Sequence, residues 1–285
     1  MDDALRCAIE ADLGARITRA VPVQGGDVAL AYAVELEDDR RVFAKTHASS
    51  PPGFSTTEAR GLSWLRAADA VAVPEVLAVS DEPPNHLVLE WIDEGRAQAS
   101  TERDLGVGLA RMHRVGAPAF GRDDRRTTGS QGLPNEPCAT WAEFYAANRL
   151  LPLARLAREG RALSRSTIAD LERLASRLAS FDTGEPPARL HGDLWAGNRL
   201  VDVEGRSWLI DPAAHGGHRE FDLAMMRLFG GFAGECFAAY AEAYPLEPGW
   251  EGRVALHQIA PLVVHAIKFG GGYVGSATAA IAQYT

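Results

Sequence analysis

The chain has 285 residues, of which 46% are hydrophobic, and a formal net charge of −9. This length and hydrophobic content can bury a full core, and the negative charge argues against nonspecific binding to nucleic acid or an anionic membrane. Residues 1–6 lack a signal-peptide pattern, and no apolar run approaches transmembrane length. We therefore expect a cytoplasmic protein without nucleic-acid or membrane partners, and a monomer is the working expectation. The scattered Cys7, Cys138 and Cys236 predict free thiols.

The first predicted feature is a glycine pair before a strand. Gly25, Gly26 and Asp27 precede an apolar run at 28–34. Paired glycines let backbone N–H groups approach phosphate closely, so these three residues are candidates for nucleotide binding. An ordinary turn is the alternative. The segment is not a Walker P-loop, because no Gly-Lys-Ser/Thr follows.

The next strand, at 41–46, contains a lysine among apolar residues. Its alternation places Phe43 and Lys45 on one face, away from Val42 and Ala44. A kinase would use such a lysine on the α- and β-phosphates of ATP, held by a glutamate from the following helix. The alternative is a charge at a strand edge.

A helix is predicted at about 55–68. One of its faces carries three residues at spacings of four and seven: Glu58, Leu62 and Leu65. Glu58 would therefore point inward, toward Lys45. The alternative is a capping box, in which Glu58 only accepts a hydrogen bond from the Ser55 amide.

Two further strands, at 76–79 and 86–89, lead into a short polar linker that ends near Gly95. Such a linker is typical of a hinge, where backbone groups at about Glu90 and Ile92 could pair with adenine. The amino-terminal part is thus predicted to contain about five antiparallel strands and one helix.

Helical signals dominate the rest of the chain. Apolar residues recur at helical spacing after residue 101, and Thr140 with Glu143 forms a capping-box pattern before a predicted helix at 144–157. The segment 116–137 is rich in Gly, Pro, Arg and Asp and predicts a long, mobile loop. The fold class is therefore α+β, with an antiparallel-sheet lobe at 1–95 and a mainly helical lobe at 96–285.

The most informative run is His191-Gly192-Asp193-Leu194-Trp195-Ala196-Gly197-Asn198, which is followed by Asp211. Residues 199–203 and 206–210 read as two strands joined by Glu204-Gly205. If those two residues are the whole turn, the residue numbers of each cross-strand pair add up to 409. Asn198 then lies directly opposite Asp211, at about 5 Å between Cα atoms.

This pair predicts a magnesium-nucleotide site. An amide and a carboxylate oxygen suit Mg²⁺ completed by substrate phosphates far better than they suit zinc. Asp193 remains free to act as base, five residues before the metal-binding Asn198, as in kinases that orient an attacking hydroxyl. The alternative is an ordinary turn, in which Asp193 and Asn198 cap backbone groups and Asp211 ends a strand.

Taken together, these motifs resemble the fructosamine kinases, also called ketosamine-3-kinases, which share the aminoglycoside-phosphotransferase and protein-kinase-like fold. The resemblance covers nearly the whole chain, through GGD, AKTH, EARGLSWL, LVLEWI, LGVGLARMH, HGDLWAGN, DPAAHGGHREFDLAMMRLFGGF and FGGGY. The tryptophan of HGDLWAGN, the REFDLAM run and the LFGGF ending are the more specific parts.

The resemblance implies a bilobal kinase that uses ATP and Mg²⁺ to phosphorylate the 3-hydroxyl of 1-amino-1-deoxyketose adducts, as free small molecules or on glycated protein, in a deglycation activity. It implies Asp193 as base, Asn198 and Asp211 as magnesium ligands, and Lys45 with Glu58 as the nucleotide pair. Two other classes stay open at this point: a kinase of an aminoglycoside or amino alcohol, and a nucleotide-binding protein without catalysis.

The chain departs from the family pattern at two places. The chain reads Gly217-His218-Arg219-Glu220 where the family usually has Gly-Asp-Arg-Glu, so His218 replaces an acidic residue near the site. Residues 124–135 replace a segment that usually reads like Asp-Asn-Tyr-Ile-Gly-X-X-Pro-Gln. This second stretch is expected to border the acceptor. We therefore expect His218 to face the acceptor as a candidate substrate contact. The added arginines and histidine favour an acceptor that carries phosphate or carboxylate.

Several further residues have both a functional and a structural interpretation. Trp195 could stack on the acceptor or pack as a core aromatic, and the cluster near the carboxyl terminus could line the cleft or the interior: His257, His265, Lys268 and Tyr273. Asp222 opens a predicted apolar helix at 223–232 and is expected to brace the catalytic loop or to cap that helix. His191 is expected to orient the loop.

Overall fold

The computed structural model describes residues 1–23, 29–47, 51–124 and 131–285. Its amino-terminal part is a five-stranded antiparallel sheet with the spatial order β1-β2-β3-β5-β4. The strands are β1 Ile17–Val23, β2 Leu30–Leu36, β3 Arg41–Thr46, β4 Val76–Ser80 and β5 His86–Glu90. Two helices flank them, α1 Asp3–Leu13 and α2 Phe54–Arg66. The prediction of one helix was therefore wrong by one.

The additional helix has clear local signals. The Asp2 side chain accepts a hydrogen bond from the Leu5 amide at 2.8 Å, and α1 ends at Gly14, which adopts the left-handed φ of 64°. Its buried residues, Leu5 and Ile9, pack with Val42 from β3. Helix α1 thus covers one face of the sheet.

Helix α2 covers the opposite face. Leu62 and Leu65 cluster with Leu87 and Leu89 of β5, and Phe43 of β3 packs against the same cluster. Because strand side chains alternate between faces, Phe43 and Lys45 lie on the α2 side. The predicted alternation of β3 is confirmed.

The remainder of the chain is mainly helical. Its helices are α3 Thr101–Val115, α4 Trp141–Tyr145, α5 Leu151–Glu159, α6 Arg165–Ala175, α7 Glu220–Phe229, α8 Gly234–Ala243, α9 Val254–Phe269 and α10 Gly272–Ala282. The capping box of Thr140 and Glu143 is present, but the single helix predicted at 144–157 is divided by a π-helical turn, Ala146–Leu150. Within the described residues no helix is long and apolar enough to cross a membrane. The division of the chain at residue 95 stays a prediction.

Two small antiparallel sheets interrupt the helices, β6 Ala188–Leu190 with β9 His215–Gly217, and β7 Arg199–Val201 with β8 Ser207–Leu209. In the second sheet, Arg199 pairs with Leu209 and Val201 with Ser207, so partners sum to 408. The predicted sum of 409 is wrong.

The reason is a longer turn. The Gly205 amide donates to the Asp202 carbonyl, the Asp202 amide donates to the Arg206 carbonyl, and Gly205 adopts a φ of 79°. The turn therefore contains three residues with a glycine in the left-handed region. As a result Asn198 accepts from the Ile210 amide at 3.0 Å, and Asp211 lies one residue beyond this pair.

Asp222, in the first turn of α7, braces the loop formed by residues 191–198, here named the catalytic loop. Its carboxylate accepts hydrogen bonds from the backbone amides of His191 and Gly192, at 2.8 and 2.9 Å, and lies 3.2 Å from His113 Nε2. It is fully buried and does not act as the helix cap. Gly192 makes this approach possible, because a Cβ there would lie 2.1 Å from the Ala213 carbonyl oxygen.

The brace predicts a stability change. Replacing Asp222 by Ala leaves two buried amide donors and His113 without their acceptor, so the free energy of unfolding should fall by roughly 3–5 kcal/mol. Urea denaturation would measure it through the midpoint at unchanged slope. The control is Asp38→Ala, which removes an exposed carboxylate paired with Arg40 and should lower the free energy of unfolding far less, because exposed ion pairs contribute little. Equal losses in both variants would contradict the brace.

Candidate active site

A buried lysine lies between two carboxylates. Lys45 Nζ is 2.5 Å from Glu58 Oε1 and 2.5 Å from Asp211 Oδ1. Lys45 is 8% exposed and Glu58 is 4% exposed. The contact joins β3, α2 and the segment after β8, which are far apart in the sequence.

The capping-box alternative for Glu58 is wrong. Helix α2 begins after Gly53 without a side-chain cap, and the Ser55 amide donates to Asp81 Oδ1 at 2.9 Å. Because an aspartate from another part of the chain satisfies this amide, the Glu58 carboxylate is left for Lys45.

The three charges control one another. Burial acts to lower the pKa of Lys45, but Glu58 and Asp211 outweigh it and raise that pKa above its usual range. Burial raises the pKa of Glu58 to about 7, although Lys45 opposes the change. Burial also acts to raise the pKa of Asp211, but Lys45 outweighs it and lowers that pKa. Lys45 therefore stays charged, and Asp211 stays ionised beside it.

Asp193 and Asn198 lie together at the end of the catalytic loop. Asn198 Nδ2 donates to the Asp193 carbonyl at 2.8 Å and to Asp193 Oδ2 at 3.1 Å. It also lies 3.4 Å from the Asp211 carbonyl oxygen. These contacts assign the amide nitrogen and leave Asn198 Oδ1 as the atom that can face a cation. With the one-residue change in register, Asn198 still contacts Asp193 and the backbone of Asp211.

Burial raises the pKa of the Asp193 carboxyl to about 6, and the hydrogen bond from Asn198 opposes this change. The negative charges of Asp211 and Asp222 raise the pKa further, whereas Lys268 lowers it. A carboxylate with a raised pKa is a better proton acceptor than an exposed aspartate and is still ionised near pH 7.

His191 fixes the loop. Its Nδ1 accepts from the Asp193 amide at 3.3 Å, and its Nε2 donates to the Ile210 carbonyl at 2.9 Å. A neutral His191 ring can make both of these hydrogen bonds. Burial lowers the pKa of His191, which favours this neutral form. This position supports the predicted orienting role rather than proton exchange.

The donor atoms fit magnesium. Asp211 supplies a carboxylate and Asn198 an amide oxygen, which are hard ligands of the kind that Mg²⁺ prefers. Asp211 also has a φ of 51°, a left-handed conformation that costs a non-glycine residue roughly 1–3 kcal/mol and that clusters at functional sites. The strained backbone turns this carboxylate toward Lys45.

The acceptor side is rich in aromatic rings. Trp195 is 40% exposed, and it folds over Gly197, where a Cβ would meet the indole at 2.3 Å. Its ring contacts Phe229 edge-on, with centroids 6.2 Å apart. The His265 ring lies 4.9 Å from Phe229 and 5.0 Å from Tyr273. Trp195 is therefore a surface aromatic beside Asp193, not a core residue.

Lys268 lies on the same side, exposed on the last turn of α9, and it acts electrostatically on Asp193. It is one of only two lysines in the sequence, and the other is Lys45. Both lysines thus act on the same cluster of carboxylates.

His218 does not face the acceptor, so that expectation is corrected. Its ring is 2% exposed, its Nε2 lies 2.9 Å from Thr183 Oγ1, and burial lowers its pKa to about 3. His257 is also interior, with Nε2 3.3 Å from Glu220 Oε2. Both Glu220 oxygens bind Arg253, at 2.9 and 2.5 Å. Glu220 and Arg253 thus form an interior ion pair beside His257, and the His218 ring packs against His257 with centroids 5.0 Å apart.

Some predictions cannot be placed. Gly25, Gly26 and Asp27 lie outside the described residues, as do residues 125–130 of the loop that departs from the family pattern. Glu90 ends β5, and its amide donates to the Glu75 carbonyl at 2.9 Å. Adenine pairing at Glu90 would therefore use its carbonyl. Ile92 is buried two residues later.

One positioning residue was not anticipated from the sequence. Arg122 Nη1 donates to the Ala214 carbonyl at 3.2 Å, and Gly61 of α2 packs against Arg122, Ala214 and Pro212. Arg122 thus joins α2 to the segment that follows Asp211. A lone arginine in an irregular segment carries no sequence signal for such a role.

Comparison with known proteins identifies the family of this chain. The family model described as fructosamine kinase matches residues 1–285. A probable ketoamine kinase from Enterococcus faecium is 35% identical over 260 residues, which covers 90% of this chain and 91% of the relative. The chloroplastic protein-ribulosamine 3-kinase of Arabidopsis thaliana is 30% identical over 276 residues, with 94% and 83% covered.

Solved structures show the same likeness. The crystal structure of a fructosamine-3-kinase candidate from Thermobifida fusca superposes with a TM-score of 0.92 at 35% identity, covering 100% of this chain and 99% of that chain. A macrolide 2'-phosphotransferase type I, at 17% identity and a TM-score of 0.61 over 98% and 95% of the chains, shares the protein-kinase-like fold. The family model, the relatives and the fold therefore agree: this chain belongs to the fructosamine kinase family.

Proposed function

We propose that this enzyme transfers the γ-phosphoryl group of ATP to the 3-hydroxyl of a ketosamine, a 1-amino-1-deoxyketose adduct. The observation that carries the proposal is the placement of Asp193. Its partly buried carboxylate accepts a hydrogen bond from Asn198, and Lys45 contacts both the Asp211 and the Glu58 carboxylates. The family relationship supports the ketosamine as acceptor.

Each residue has one task in this mechanism. Asp193 accepts the proton of the attacking hydroxyl as the oxygen–phosphorus bond forms, and ADP leaves with the electrons of the broken bond. Lys45, held by Glu58, neutralises the α- and β-phosphates. Asn198 and Asp211 would hold Mg²⁺, which would supply charge neutralisation at the transferred phosphoryl group. Asp222 and His191 keep the loop in place.

The base is tested by Asp193→Asn. Asparagine has nearly the same shape as aspartate and can still accept the hydrogen bond from Asn198, but it cannot act as a base. Turnover should therefore fall by about 10²-fold or more while ATP affinity is retained. Magnesium-dependent ADP release with a low-molecular-weight fructosamine would measure turnover, and calorimetry would measure ATP binding. An aminoglycoside serves as the competing acceptor. Turnover near that of the wild type would refute Asp193 as the base.

The metal ligand is tested by Asp211→Ala. This variant loses both the proposed magnesium ligand and one carboxylate of Lys45, so the affinity for Mg²⁺-ATP should fall by about tenfold or more. Calorimetric titration with and without Mg²⁺ separates the two effects, because the metal-free affinity reports the Lys45 environment alone. If Mg²⁺ strengthens ATP binding equally in variant and wild type, the metal site lies elsewhere.

The pH dependence follows from the pKa of Asp193, which burial raises to about 6. The base must be ionised, so kcat/KM should be level above this pH and fall by about tenfold per unit below it. Lys268 lowers this pKa, so Lys268→Met should move the acidic limb to higher pH. Arg155→Met removes an exposed charge on α5 and should leave the profile unchanged. A limb that does not move in Lys268→Met contradicts the coupling.

A further inference from the structure

An open groove with a volume of about 420 Å³ lies between α7, α9 and α10. This volume is within the range of small-ligand sites. Among the described residues its lining consists of apolar side chains with serine, tyrosine and glutamine, and all of these side chains are uncharged. Leu262 and Ala280 form its buried part, and Ala279 and Gln283 lie at its exposed edge.

The groove adjoins the acceptor side of the site. Phe229 and Tyr273 line it, and both rings also contact His265. Phe229 contacts Trp195 as well, which follows Asp193 by two residues. A continuous series of rings therefore leads from the proposed base to the groove.

The backbone holds this junction in place. Helix α7 ends at Phe229, and the next residues, Gly230 and Gly231, have φ values of 71° and 86°. A Cβ at Gly231 would lie 2.3 Å from the Ala196 side chain, so the chain leaving α7 passes directly over the catalytic loop. This close approach fixes Phe229 between Trp195 and the groove.

The chemistry of a ketosamine matches this arrangement. When the 3-hydroxyl is at Asp193 and the sugar lies on Trp195, the amine on C1 is two carbons away and its substituent extends outward. The rings at Phe229 and Tyr273 mark an apolar path for that substituent. A carboxylate or ammonium group would be desolvated beside uncharged walls, which is unfavourable, whereas an apolar or aromatic group is stabilised by burial.

We propose that the α7–α9–α10 groove binds the substituent on the amine nitrogen of the acceptor and selects uncharged apolar or aromatic substituents over the charged end of a free glycated amino acid. This inference rests on the proposed ketosamine kinase activity and names the acceptor class of the same site.

Three fructose adducts that differ only in the amine would test it: those of methylamine, benzylamine and the ε-amine of free lysine. Wild-type kcat/KM should be at least tenfold higher for the benzylamine adduct than for the other two. Ala279→Trp fills the groove and should lower kcat/KM for the benzylamine adduct by at least tenfold while changing that of the methylamine adduct less than twofold.

The matched control is Thr278→Trp, which adds the same side chain at an exposed α10 position outside the groove lining and should change neither value. Thermal unfolding checks that each variant folds. Equal effects of Ala279→Trp and Thr278→Trp, or a wild-type preference for the lysine adduct, would overturn the groove while the methylamine adduct still reports the kinase. Failure of all three adducts to react would overturn the proposed function and the groove with it.

Discussion

The ion pair of Lys45 with Glu58 and Asp211 is the contact on which the site depends. A buried ammonium group is tolerated only when opposite charges compensate its lost hydration, and here the two carboxylates come from α2 and from the segment after β8. Their distances of 2.5 Å require the strand, the helix and that segment to be correctly placed together. A kinase needs this lysine and these two carboxylates around the nucleotide phosphates.

The catalytic loop depends on a second buried charge. Asp222 accepts from two consecutive loop amides and lies beside His113, so the loop is held by backbone groups that carry no reacting atoms. Asp193 can therefore be buried enough for its pKa to rise to about 6 without losing its orientation. Arg122 and Gly61 connect the segment after Asp211 to α2. A movement of that helix would therefore displace both this segment and the ion pair of Lys45 with Glu58.

Charge and apolar surface are separated on the acceptor side. Lys268, Asp211 and Asp222 act electrostatically on the proposed base, Asp193, whereas the groove beyond Phe229 and Tyr273 is lined by uncharged side chains among the described residues. The buried His218 and His257 belong to neither part. They lie in the interior with Glu220 and Arg253. His218, which replaces the usual family aspartate, lies 2.9 Å from Thr183 Oγ1 there and does not face the acceptor.

By itself the sequence determined the fold class, the strand alternation around Lys45 and the grouping of Asp193, Asn198 and Asp211, because these follow from periodicity and from short motifs whose spacing is local. Only the tertiary structure decided the hydrogen-bond partners, the hairpin register and the burial of individual side chains. The Ser55 amide donates its hydrogen bond to the Asp81 carboxylate and not to Glu58, because a residue remote in the sequence lies at the start of the helix. The hairpin register moved by one because Asp202 and Gly205 form a three-residue turn. The sequence pattern places His218 near the acceptor, because burial cannot be read from a local pattern. Its interior position depends on packing between segments that are far apart in the sequence.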